Sequence, residues 1–233
     1  IGWRGAFWLL AGLSVAVAAI IVLSVPEKRE GISRERFADQ VRGLAGIFAS
    51  RLFWRYAPQM CLVVGGFLAL QGLWAVPWMM SVDGMSRGQA AEQLFDLNLA
   101  LLIGYLALAT LAPRLARWGL KPVVLLAMGS GGAVAVAWSI LFGLVDAPVA
   151  WPALGLAMCT GNLAYPLLTA RFAPELSGRV NTALNLGVFI GAFGVQWGFG
   201  ALLDLFAALG DEPATRFRHA LGILAAMQPA TQL

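Results

Sequence analysis

The sequence predicts an all-α polytopic membrane protein, and three observations carry that prediction. Sixty per cent of the 233 residues are hydrophobic and 12% are charged, about half the charge of an ordinary soluble domain. The apolar runs continue for a bilayer's worth of residues, where a soluble core would break them with polar faces. Basic residues gather in alternate short loops, as expected where Lys and Arg resist translocation and favour the anionic cytoplasmic leaflet. The net charge of +4 therefore reads as a topology signal. A nucleic-acid partner is not expected, because such a surface would collect its charge on one face.

Taking ~20 apolar residues as one crossing, the chain divides into six spans and the start of a seventh. They cover 6–25, 57–80, about 94–111, 122–145, 149–169 and about 182–209, with the seventh beginning near Phe217. Between the first two lies the stretch 26–56. It carries Lys28, Arg29, Arg34, Arg36, Arg42, Arg51 and Arg55, seven of the sixteen basic residues. Its second half has Phe37, Val41, Leu44, Phe48 and Leu52 at steps of three and four, which predicts an amphipathic helix on the membrane surface. A plain solvated linker helix is the alternative.

With this stretch placed in the cytoplasm, the cytoplasmic side holds twelve Lys and Arg and the far side four. The first span then runs from outside to inside. Asp83, Glu92, Asp96, Asp146, Asp211 and Glu212 fall on the outer side. Trp3, Trp8, Trp54, Tyr56, Trp78, Trp118 and Trp151 stand near span ends, where aromatic residues anchor helices at the lipid–water boundary.

The spans differ in what they carry. The first and fourth have only serines as polar residues: Ser14 and Ser24, then Ser130 and Ser139. The second has Gln71; the third, Asn98 and Thr110; the fifth, Thr160, Asn162 and Tyr165; the sixth, Asn185 and Gln196. An amide in hydrocarbon is costly unless paired, so these helices should face protein or a watery cavity. Gly187 with Gly191, and Gly194 with Gly198, form small-xxx-small pairs that predict tight helix packing, with helix mobility as the alternative. Pro58, Pro77, Pro152 and Pro166 lie in or at the ends of spans and can free a carbonyl there.

Cys61 and Cys159 stand inside apolar runs without CxxC spacing, and His219 is the one histidine. They read as packing residues, with neither a disulfide framework nor a zinc site expected. No metal ligand set, cofactor or catalytic residue is indicated. The run after Arg4 lacks the n-region and cleavage site of a signal peptide. A chain opening on Ile1 and closing within a helix is expected to be part of something longer.

Several motifs together resemble the major facilitator superfamily of secondary transporters. Gly2-Trp3-Arg4 with Phe7 and the close at Val25-Pro26-Glu27 looks like its sixth helix. Residues 112–122, Ala-Pro-Arg-Leu-Ala-Arg-Trp-Gly-Leu-Lys-Pro, look like its signature loop between helices eight and nine, with Arg114, Arg117, Gly119 and Lys121 matching. Ala112 and Ala116 stand where that loop has glycine and aspartate, so a charge-relay role for it does not follow. Pro174-Glu175-Leu176-Ser177-Gly178-Arg179, leading to Asn185, resembles the connection from helix ten to eleven.

The resemblance implies an MFS-type helical bundle: the C-terminal six-helix half plus the preceding helix. Residues 1–25 would be the last helix of the N-terminal half, 26–56 the central cytoplasmic loop, and 57–233 the C-terminal bundle. It also implies alternating access, with Gln71, Trp74, Asn162 and Tyr165 lining the substrate cavity and Asn185 and Gln196 orienting that shell. The amides would hydrogen-bond a small polar substrate and Trp74 would stack on its apolar part. For each amide alone, a helix–helix hydrogen bond is an equal alternative, and Trp74 could equally be an interface anchor.

The implied partners are the lipid bilayer, a small-molecule substrate and an N-terminal half of the same chain, with a monomer expected and a bacterial plasma (inner) membrane as the location. No acidic residue sits mid-span, so a coupling carboxylate is expected in the other half. A non-transporting receptor or scaffold and a membrane-embedded enzyme are the competing classes. A half-size protein that dimerises is a further alternative.

Overall fold

The computed structural model describes residues 2–24 and 37–231. Much of the basic connection, with Lys28, Arg29, Arg34 and Arg36, lies outside the described residues. The chain divides into two units, Ile1–Gln40 and Val41–Leu233. The first contains α1, Trp3–Ser24, a helix apolar on every side with no buried residue. Its Ser14 hydroxyl donates to the Leu10 carbonyl at 2.8 Å, which satisfies it within the helix. A helix hydrophobic all round suits lipid.

Helix α2, Phe37–Ala49, leads into the second unit. The predicted stripe from Phe37 to Leu52 does not lie on one helix. Ser50 is extended, its hydroxyl accepts from the Leu52 backbone N–H at 3.3 Å, and a new helix starts at Arg51. Val41 and Leu44 are exposed, and Ile47 is buried.

The second unit continues as an antiparallel bundle. Helix α3 is Arg51–Ser81, widened to π-helix over Met60–Gly65 and Leu70–Trp74. Pro58 and Pro77, which cannot donate backbone hydrogen bonds, flank these widened stretches. Helix α4, Arg87–Arg117, starts with a capping box between Ser86 and Gln89. Helix α5, Pro122–Phe142, stops at Gly143 in the left-handed region. The segment 147–169, called α6, is helical over Ala147–Met158 and Ala164–Thr169 with a 3-10 turn, Cys159–Leu163, between them. Helix α7 is Ser177–Ala208 and α8 is Pro213–Met227.

Among the described residues, five helices are long and apolar enough to cross a membrane: Trp3–Ser24, Arg51–Ser81, Arg87–Arg117, Pro122–Phe142 and Pro174–Ala208. The predicted span at 149–169 is not one uninterrupted α-helix, because the 3-10 turn divides it just before Pro166. End to end it still has roughly the length of a bilayer crossing. The residues of the expected signature loop are also mostly helical. Helix α4 runs through Pro113 to Arg117, and the turn is confined to 118–121. Gly119, with φ of 86°, makes that turn in a conformation costly for any residue with a Cβ. Arg114 and Arg117 sit in the last helical turn, where their charge favours the helix dipole.

Close helix contacts depend on small residues. Gly65 of α3 faces the Val188 carbonyl of α7, and Gly191 of α7 faces the Cys61 carbonyl of α3 so closely that a side chain there would meet backbone. The other predicted pairing glycines differ, since Gly187, Gly194 and Gly198 meet no atom within 4 Å. Gly155 of α6 abuts the Leu97 carbonyl of α4, and Gly129 of α5 abuts Thr160. In α5 the buried residues Leu126, Ser130, Ala133, Ala137 and Ile140 recur at steps of four and three, a coiled-coil-like seam.

Two apolar clusters result. One joins Trp78, Met79, Leu97, Trp151, Phe199 and Phe217. The other joins Ile47, Phe53, Tyr56, Leu168, Val180 and Leu184. Trp78 and Trp151 are 0% exposed and Tyr56 is 8% exposed, so these three predicted interface anchors are core residues. Trp54 and Trp118 are exposed, as an interfacial position requires.

Candidate functional site

The polar side chains of the bundle connect to one another across helix boundaries. Gln71 of α3 donates its amide N–H to the Asn98 amide oxygen of α4, and Asn98 donates in turn to the Leu94 carbonyl at 2.7 Å. Seven residues after Asn98, and so on the same helix face, comes Tyr105. The Asn162 side chain of α6 stands near its hydroxyl. One turn further, the Tyr165 hydroxyl donates to the Asn185 amide oxygen of α7 at 3.0 Å. The next turn repeats the arrangement, with Thr169 donating to Asn181 at 2.8 Å.

This sequence of pairs crosses α3, α4, α6 and α7 in order. Asn162, Asn181 and Asn185 are exposed, and Gln71, Asn98, Tyr105 and Tyr165 are half-buried. An exposed amide in a membrane-length helix needs a polar neighbour or water. Tyr165 and Thr169 supply one hydrogen bond each, to Asn185 and Asn181, and leave further donor and acceptor positions on those amides open. The local geometry at α6 helps, because the 3-10 turn at Cys159–Leu163 carries Asn162 and precedes Pro166. Proline there offers no N–H to a carbonyl four residues earlier, so backbone polarity is freed beside the amide.

Four of the six predicted cavity residues, Gln71, Asn162, Tyr165 and Asn185, thus belong to one polar face. Trp74 is placed differently. Its ring is turned to α7 and α8, 5.1 Å from Phe199 and 6.4 Å from Phe217 between centroids, and its N–H donates to the Gln196 carbonyl at 3.3 Å. Gln196 stands eleven residues after Asn185, three helical turns on, and is half-buried beside α3. Arg114, Arg117 and Lys121 are exposed at the far end of α4 and α5 from Asp83 and Asp146, apart from the polar face.

Sequence reasoning did not pick out Tyr105, Thr169 or Asn181 as site residues. The seven-residue step from Asn98 to Tyr105 was the available signal for the first. Gln59 was missed as well: it is 0% exposed and both amide atoms are without a partner, an uncommon state for a buried amide.

An apolar helical bundle with helices of membrane-crossing length and polar side chains paired between them defines a polytopic membrane protein. The sequence pattern of the Major Facilitator Superfamily matches residues 1–195, and the chain belongs to that family of membrane transporters. No curated protein matches the chain.

Proposed function

We propose that the protein carries a small polar solute across a membrane by alternating access, with the polar face of α3, α4, α6 and α7 as one wall of the translocation cavity. The observation that supports this reading most is the set of polar side chains paired across helices, Gln71 with Asn98 and Tyr165 with Asn185, with Asn162 exposed between them. A second helical bundle supplies the facing wall and closes the cavity. The wall offers neutral amides and hydroxyls, which suits a solute recognised by hydrogen bonds over one anchored by a full charge. The basic end of the bundle, with Arg51, Arg55, Arg114, Arg117 and Lys121, faces the cytoplasm of a bacterial inner membrane. The protein performs no chemical conversion of the solute.

Flux in proteoliposomes tests the proposal, using a panel of neutral polyols, zwitterions, organic anions and organic cations. Uptake of a neutral or zwitterionic solute that falls at least about tenfold in Asn162→Ala, the loss expected for one or two hydrogen bonds to solute, supports it. A non-transporting receptor or scaffold would bind a solute without flux. Flux unaffected by Asn162→Ala and Asn185→Ala would remove this face from the pathway.

A further inference from the structure

An apolar groove opens at the basic end of the second unit, between α3 and α7. Its volume is about 410 Å³, and it is lined by Trp54, Pro58 and Leu62 from α3 and by Ala183, Gly187 and Ile190 from α7. From Trp54 to Leu62 it follows about 12 Å of helix axis, most of the hydrocarbon depth of one leaflet. Gly187 leaves its floor open, since a Cβ there would meet nothing within 4 Å. On α7 these residues lie about half a helical turn from Asn181 and Asn185, so the groove is separate from the polar face.

The mouth of the groove is charged. Arg51, Arg55, Pro58 and Leu62 recur at steps of four and three, which puts both arginines on the groove face of α3. Both are exposed, and among the described residues neither has a hydrogen-bond or ion-pair partner. Their setting is unfavourable by itself. They are like charges four residues apart, and they occupy the first two turns of a helix, whose N-terminus is already the positive end of its dipole. An anion held between them relieves both effects. Trp54 stands beside them, 57% exposed, with its indole N–H donated to the Phe48 carbonyl at 2.7 Å. With that polar atom satisfied inside the chain, the ring can lie at the lipid boundary.

We propose that this groove binds an anionic phospholipid, with one acyl chain lying over Gly187 between α3 and α7 and the headgroup phosphate held by Arg51 and Arg55. Charge and depth together select this occupant. An acyl chain matches a groove that is apolar along its length, and a phosphate supplies the anion that two arginines at a helix N-terminus call for. Arg114, Arg117, Lys121 and Arg171 at the same end add a field that favours a net negative headgroup over a zwitterionic one. The site is independent of which solute the protein carries.

Native mass spectrometry of the whole protein, released from detergent containing dioleoyl phosphatidylglycerol or dioleoyl phosphatidylcholine, tests this. The native protein retains one phosphatidylglycerol at least about tenfold more tightly than phosphatidylcholine, the scale of a charge-assisted hydrogen bond. The double variant Arg51→Gln, Arg55→Gln loses that preference. Both positions are exposed, so the bundle stays folded. Arg117→Gln, which removes a charge from α4 at the same end, keeps the preference. Gly187→Leu fills the groove without meeting backbone and lowers retention of both lipids. A preference unchanged in the double arginine variant overturns the proposal, because the headgroup then binds elsewhere. Retention unchanged in Gly187→Leu overturns it equally, because the groove then holds no acyl chain.

Discussion

Tyr165 and Asn185 show how a residue can matter to a site without mattering much to the fold. Their hydrogen bond is 3.0 Å and exposed, so water can replace either partner when the other is lost. Tyr165→Phe is expected to change stability by less than about 1 kcal/mol. Transport should fall much further, because the hydroxyl and the amide it orients both face the proposed cavity. Melting temperature and initial uptake rate, measured on one preparation, separate the two effects. Equal losses in both would mark the pair as structural.

The amides were legible because a polar group in an apolar run is conspicuous, and its cost implies a partner. Aromatic residues carried less information. Trp78 and Trp151 lie near span ends, which fits a lipid-interface anchor as well as a core residue, and burial decided between them. Trp74 was ambiguous for a similar reason: an indole in a polar span can stack on a solute or on Phe199.

At the scale of elements, glycine spacing announced close packing without saying which face would be used. Gly191 and Gly194 have similar sequence surroundings, yet Gly191 abuts the Cys61 carbonyl and Gly194 meets nothing within 4 Å. Gly191→Leu must therefore move α3 away from α7, at an expected cost of about 1–3 kcal/mol or more. Gly194→Leu should be tolerated in the same host. Thermal unfolding and the yield of folded protein check the contrast, and similar melting temperatures for both variants would contradict it.

Helix boundaries were less legible than helix existence. Pro113 suggested a loop, but α4 continues through it to Arg117 and turns only at Gly119. At the other extreme, 149–169 read as one unbroken apolar span. Hydropathy does not register the 3-10 turn that carries Asn162 out of α-helical register.

For the molecule as a whole, the alternation of charged turns makes the two ends of the second unit chemically different. Arg51, Arg114, Arg117, Lys121 and Arg171 fall at one end, and Asp83, Asp146, Asp211 and Glu212 at the other. That division was readable from loop charge alone, as was the helical class. The path of paired polar side chains from Gln71 with Asn98 to Tyr165 with Asn185 was not, since it depends on which helices are neighbours, and helix order in sequence does not fix that.

The account rests on this path facing water while α5 faces lipid. Thiol accessibility in membranes tests it most directly, with Cys61 and Cys159 first replaced by Ala. Cysteine at 98, 162 or 185 is expected to react with a membrane-impermeant maleimide. Cysteine at 124 or 128, where Val124 and Met128 are exposed on the apolar α5, is expected to stay unlabelled. Labelling at 124 and 128 with none at 98, 162 and 185 would contradict the polar face as a water-filled pathway.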